Sequence, residues 1–258
     1  MLFLVLARKS YLRNLQYRGA HLVHNIASAI FGFIYISIWT GIGQSHTLGE
    51  YGIDGMVAYI AFNQASLWVT TFINNGLGIQ QSVRTGGIAI DLMRPVPLFY
   101  QLMCKEWGQI AYQFIYKFLP IYTLYIFVLP LQVPTSMLTF LWTAVALALA
   151  AFISICINFL IGAVALWTME SGSLFWVNYA FSMLLSGFLI PIEWLPGWLR
   201  FISHASFYPF LHYVPTRIYL GMESPWTLIG SLCWGVLLLC ACLLATHLMR
   251  RRLEVQGG

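Results

Sequence analysis

The sequence predicts an all-α membrane protein with six transmembrane helices and both termini in the cytoplasm, on three observations. Hydrophobic residues make up 60% of its 258 positions and charged residues 8%. With a mean hydropathy of +0.77, that composition lies far outside the range of soluble domains. Apolar stretches recur that can cross a hydrocarbon core of about 30 Å, which takes roughly 20 helical residues. Lysine and arginine, finally, gather on one side of those stretches. No soluble domain of useful size fits in what remains, so residues 1–258 read as a single transmembrane domain.

Residues 1–21 carry Arg8, Lys9, Arg13 and Arg18 and no acid. On a helical wheel Arg8 falls beside Leu4, Leu12 and Leu15, so this is a cationic interfacial lead-in and not an ideal amphipathic helix. Its apolar residues precede its charges, the reverse of a secretory signal. The first span covers residues 22–43 and ends in the polar loop QSHTLGEYGID; the second covers residues 55–73. Residues 74–106 then interrupt the hydrocarbon with Arg84, Asp91, Arg94, Lys105 and Glu106, around the run VRTGGIAIDLMRPVP. The third span is residues 107–130, with Lys117 within snorkelling reach of the cytoplasmic interface. Residues 136–167 form a fourth span long enough to tilt or project. A short turn at Met169–Ser173 leads to the fifth, residues 174–190. Residues 191–217 contain Pro191, Pro196, Pro209 and Pro215, which forbid one continuous helix. Pro196 suits the first turn of a short helix on which Trp194, Trp198, Phe201 and Ile202 share a face, as in an outer re-entrant or interfacial segment. The sixth span is residues 226–249.

Under this topology Arg8, Lys9, Arg13, Arg18, Arg84, Arg94, Lys105 and Arg250 to Arg252 share one side. Arg200 and Arg217 fall on the other, with Glu50, Asp54, Glu193 and Glu223. The positive-inside rule places the first side in the cytoplasm. The net charge of +5 thus reports orientation, and no nucleic acid partner is expected.

Several chemistries are excluded. The chain has no Gly-Lys dipeptide, so the phosphate-cradling GxxxxGK[ST] loop is absent, as are GxSxG and HExxH. No catalytic residue and no metal site is expected. His21, His24, His204 and His212 read as interfacial hydrogen-bonding groups, and the five cysteines, which form no CxxC pair, as small apolar residues. Titratable groups at a bilayer centre cost about 2.5–3.5 kcal/mol on insertion scales. Spans one, two, four, five and six carry none at their centres, which argues against a proton- or sodium-driven pump. Uncharged polar groups do occur: Asn63, Gln64, Ser66 and Trp68, then Asn158, Asn178 and Ser182. They suit hydrogen bonding between helices, or, for Asn63, Gln64, Trp68 and Asn178, the lining of a translocation path.

The run RTGGIAIDLMRPVP resembles the cytoplasmic coupling region of ABC-2-type ABC transporter permeases, in the branch of small six-span permeases that work with a separate ATPase. Downstream, SGFLIPIEWLPGWLRFISHASFYPFLHYVPTRIYLG resembles that branch's outer loop and entry to the last span. The resemblance covers nearly the whole chain. It implies a non-enzymatic permease whose short helix between spans two and three, here about Gly87 to Pro97, docks on a nucleotide-binding subunit. Gly86 and Gly87 would make the turn, Asp91, Leu92, Met93 and Arg94 the contacts, and Pro95 the stop. It also implies two copies of a separate ABC ATPase carrying ATP and Mg, no cofactor on this chain, and a second permease chain, identical or paralogous. The setting would be a bacterial cytoplasmic (inner) membrane. The aromatic, uncharged interior suits export of a hydrophobic or amphipathic drug, peptide antibiotic or lipid. A membrane-embedded lipid-modifying enzyme would need clustered acids or histidines, and the 8 acids are scattered. A membrane scaffold or sensor is the other alternative that composition allows.

Overall fold

The computed structural model describes residues 2–72, 75–131 and 133–256. Ile73 and Asn74, where the second span is expected to give way to the charged segment, lie outside them. Among the described residues the chain is all helix and connection, with no strand.

The first helix, α1 (Leu2–Asn14), lies across α6 (Leu98–Gln113). The two backbones touch, because a Cβ built on Gly108 would stand 2.0 Å from the Ala7 carbonyl oxygen. Ser10 faces inward, while Leu4 and Leu12 are exposed beside Arg8, Lys9 and Arg13. That mixed outer face is the one its wheel predicts, and it suits a membrane surface.

Three helical segments are long and apolar enough to cross a membrane by length and composition alone: His21–Ser45, Met137–Thr168 and Pro225–Arg252. They belong to α2 (Arg18–Ser45), α8 (Met137–Thr168) and α12 (Leu228–Gln256). Of these α8 is the central post, and α2 and α12 are peripheral. Beside α8 stands α3 (Gly52–Thr70), buried almost end to end. The third expected span is a helix in three parts: α6, a π-turn at Phe114–Phe118, and α7 (Leu119–Val128). Pro120 cannot donate to the Tyr116 carbonyl, so the regular ladder fails there. Asn25 on α2 repairs it, its Nδ2 donating to the Tyr116 oxygen at 2.7 Å.

The fifth expected span is shorter than its apolar sequence suggests. Its helix, α9 (Gly172–Leu185), is only about 21 Å long at the usual rise. It stops because Gly187 takes φ +76°, and its carbonyl is claimed by the Tyr59 hydroxyl. The chain then folds back through α10 (Gly197–His204) and α11 (Tyr213–Tyr219) before reaching α12. Between α3 and α6, two short helices, α4 (Ile79–Arg84) and α5 (Gly87–Met93), carry the charged segment.

That segment rests on α8 through a contact only glycine permits. A Cβ on Gly162 would lie 2.2 Å from the Gly76 carbonyl oxygen, against backbone that has no rotamer to yield. Gly162→Val is therefore expected to lower stability by about 1–3 kcal/mol, as overpacking does. Gly41→Ala, where a Cβ meets nothing within 4 Å, serves as control. Thermal unfolding of the purified variants is the measurement; equal midpoints would discard this contact as a constraint.

Candidate functional site

At the end of the bundle that holds most of the basic residues, the charged segment opens with three left-handed residues: Gly76 (φ 57°), Leu77 (φ 51°) and Gly78 (φ 73°). After α4, Gly86 (φ 73°) reverses the chain into α5, whose first residue is Gly87. The helix ends at Arg94, extended at ψ 147°, the conformation a following proline, Pro95, demands. An Asp91–Arg94 ion pair of 3.4 Å spans its last turn, and Ser82 Oγ donates to Asp91 Oδ2 at 3.4 Å. Helical periodicity then sorts the expected contact residues. Ile88 and Leu92, four apart, are buried, whereas Ile90 and Met93 are 66% and 84% exposed. Leu92 thus packs on the chain's own core and is no outward contact. The second outward apolar residue is Ile90, which the period of GIAIDLM could have revealed. Met93, Arg94 and Pro95 are exposed, and Asp91 is half-buried.

This segment is tied down on two sides. Arg84 pairs with Glu170 at 2.7 Å, and Gln80 Oε1 accepts from the backbone N–H and Oγ of Ser171 at 3.2 and 3.0 Å. Those bonds hold it to the turn between α8 and α9. On the other side Arg250 of α12 donates to the carbonyls of Arg94 and Val96 at 3.3 and 3.4 Å, and Gln101 Nε2 donates to Val96 at 2.9 Å. Exposed ion pairs contribute little energy, about 0–1 kcal/mol; here they set position.

At the opposite end, the acids that the sequence scatters converge on Arg217 of α11. Arg217 is 8% exposed, and its guanidinium bonds Glu50, Glu193 (2.5 Å) and Glu223 (3.2 Å), together with the Tyr51 hydroxyl at 2.9 Å. Tyr213 donates to Glu193 as well. Burial, with the Glu193 carboxylate beside it, pushes the Tyr51 phenol well above its usual range and keeps it a donor. The hub joins the α2–α3 loop, the 3-10 turn at Ile192–Trp194, α11 and the chain leading to α12. Trp194 belongs to this hub, 5.3 Å from Trp39 and 5.9 Å from Tyr51 between ring centroids. It does not share the face of Trp198, Phe201 and Ile202, which stand exposed on α10, because Leu195 and Pro196 break the helical register before α10 begins.

Between the two ends, the polar groups of the spans divide. Asn63 Oδ1 accepts from Thr216 at 2.5 Å and its amide faces the Gly187 carbonyl at 3.4 Å, so it fastens α11 to α3. Asn178 Oδ1 accepts from Tyr208 at 3.2 Å. Gln64 and Trp68 instead line a cavity of about 310 Å³ among α2, α3 and α9, with His24, Ser28, Phe72 and Tyr179 in its wall. Asn63 does not reach it, and Asn178 lines a separate opening of about 350 Å³ between α8 and α9. Two further expectations change. Lys117 does not snorkel outward; it is buried, its Nζ 3.5 Å from the Trp68 ring centroid. His212 is not interfacial but fully buried, its Nε2 2.9 and 3.2 Å from the Thr71 and Thr70 hydroxyls.

The family described as ABC-2 family transporter protein matches residues 24–257. The chain belongs to the ABC-2 transporter family. No curated protein matches it. It is therefore a multi-pass membrane protein and a permease subunit of an ABC transporter, in a family that leaves ATP hydrolysis to an ABC ATPase partner. The matched region begins at the cavity residue His24 and takes in both polar ends of the permease; α1 precedes it.

The residue that sequence reasoning missed in this permease is Arg217, counted only as a minority charge of the outer side. Its removal leaves three carboxylates facing one another. Arg217→Ala is expected to cost about 3 kcal/mol, the lower end of the range for a broken buried pair, since Glu50 stays half exposed. Arg217→Lys is expected to recover only part, lacking the planar fork. Unfolding midpoints of both variants test this, and an unshifted midpoint for the alanine variant would exclude the hub as a source of stability.

Proposed function

We propose that this chain is one half of an export permease, paired with an identical or paralogous chain and driven by two copies of a separate ATPase that bind ATP and Mg. The observation that carries this is the exposed Ile90–Met93 pair on α5. These apolar side chains lie on a short helix outside the expected spans, at the end rich in arginine, and they suit contact with a protein partner. In the ATPase-docking reading, Gly86 and Gly87 aim the helix and Arg94–Pro95 ends it. Ile90, Met93 and the rim of Asp91 and Arg94 make the contact. Motion of α5 then passes to the α8–α9 turn through Arg84 and Gln80, and to α12 through Arg250.

The rest of the assembly follows from orientation and exposed surface. Six spans, both termini and α5 on the cytoplasmic side of a bacterial inner membrane agree with the distribution of Lys and Arg. Exposed Ile30, Phe31 and Ile34 of α2, with Trp176, Val177 and Phe181 of α9, suit a second permease copy flanking a shared path. The cavity beside Gln64 and Trp68 opens between those same helices and suits a hydrophobic or amphipathic cargo.

Replacing Asp91 to Arg94 by a flexible linker, or Met93 by Asp, is expected to reduce ATPase co-purification and to lower transport at least about tenfold, with the permease still folded. An intact, fully active complex after the linker replacement would refute docking at α5.

A further inference from the structure

The 310 Å³ cavity has a chemical bias that the general idea of an amphipathic cargo does not contain. No carboxylate lines it. The Trp68 ring, part of its wall, also carries the ammonium of Lys117. Lys117 is 3% exposed and makes no ion pair among the described residues. An indole face offsets only part of the cost of burying an unpaired ammonium. The remaining positive field extends through a low-dielectric wall into the cavity.

The hydrogen bonds in the wall point the same way. Ser28 Oγ accepts from Gln64 Nε2 and from Trp68 Nε1, each at 3.1 Å. The Gln64 amide cannot be reversed, because the same nitrogen also donates to the Ser28 carbonyl at 3.1 Å, and a carbonyl only accepts. With its oxygen twice engaged, the Ser28 hydroxyl has its proton left to give, and no described residue takes it. His24, 5.9 Å from the Trp68 ring, and Tyr179 add donors to the same wall. The wall therefore combines several donors, one amide acceptor at Gln64 Oε1, a cation against one aromatic ring, no acid, and apolar surface elsewhere.

We propose that this cavity binds an amphiphile carrying a single anionic group, the anion held by the Ser28 hydroxyl and His24 in the field of Lys117 and the apolar body lying against Phe72 and Tyr179. The proposal rests on the permease reading and names the charge class of its cargo. A cationic amphiphile of the same size is excluded by the same field.

The test uses the full chain in phosphatidylcholine nanodiscs, without nucleotide or ATPase, so a negative result leaves the permease assignment standing and a failed docking test leaves this one standing. Three fluorescent probes are titrated against empty discs: 8-anilinonaphthalene-1-sulfonate, its neutral parent N-phenyl-1-naphthylamine, and cationic rhodamine 6G. The sulfonate is expected to bind about tenfold tighter than the neutral parent, and rhodamine 6G is expected not to displace it. Lys117→Met is expected to abolish that preference while leaving the neutral probe unchanged, and Lys117→Arg to retain it. Equal binding of sulfonate and parent, displacement by rhodamine 6G, or a preference that survives in a monodisperse Lys117→Met protein would overturn the proposal. Displacement of both the sulfonate and the neutral parent when phosphatidylglycerol, itself an amphiphile with one anionic group, replaces phosphatidylcholine would identify a lipid as the occupant and support the proposal.

Discussion

A hydrocarbon surround supplies no hydrogen bonds, so wherever a helix of this permease breaks, another helix has to satisfy the freed groups. The breaks and their repairs account for most of the architecture. Pro120 interrupts the helix that runs from α6 into α7, and Asn25 answers the Tyr116 carbonyl. The chain leaves α3 at Thr70, and Gln113 Nε2 donates to the Phe72 carbonyl at 2.8 Å. The chain turns after α9, and the Gly187 carbonyl is met by Tyr59. Each repair comes from a residue distant in sequence, so each break also fixes how two helices sit against each other. Polar residues that look misplaced in an apolar chain are, at these points, what allows it to bend inside a membrane.

The two ends of the bundle apply the same logic to charge, with opposite outcomes. Arg217 is buried and gathers three acids and a tyrosine, so the loops it joins become one unit that resists opening. At the other end Arg84 and Arg94, both exposed, and the half-buried Arg250 hold the charged segment by its carbonyls and its rim. Strong, buried bonds suit a part that stays closed. Weak, more exposed ones leave a segment freer to shift. Between them, Trp68 joins both halves of the interior: its N–H is bonded to Ser28 and its face to Lys117.

Sequence and structure divide the information at identifiable residues. Composition and the placement of lysine and arginine determined a helical membrane protein with one charged interruption, because solvation in lipid acts on each residue separately. Gly86, Arg94 and Pro95 announced the limits of α5, since backbone sterics are local. The motif around Leu92 and Met93 marked the family, and periodicity within it could have exchanged Leu92 for Ile90. The sequence could not show that Arg217 would collect Glu50, Glu193 and Glu223, that His212 would lie under Thr70 and Thr71, or that Asn63 would serve packing while Gln64 faces a cavity. Those outcomes depend on which face of each helix meets which neighbour and how the chain between α9 and α12 folds back. Only the tertiary structure decided them, because in lipid the stabilising partner of a polar group is set by distance in space and not along the chain.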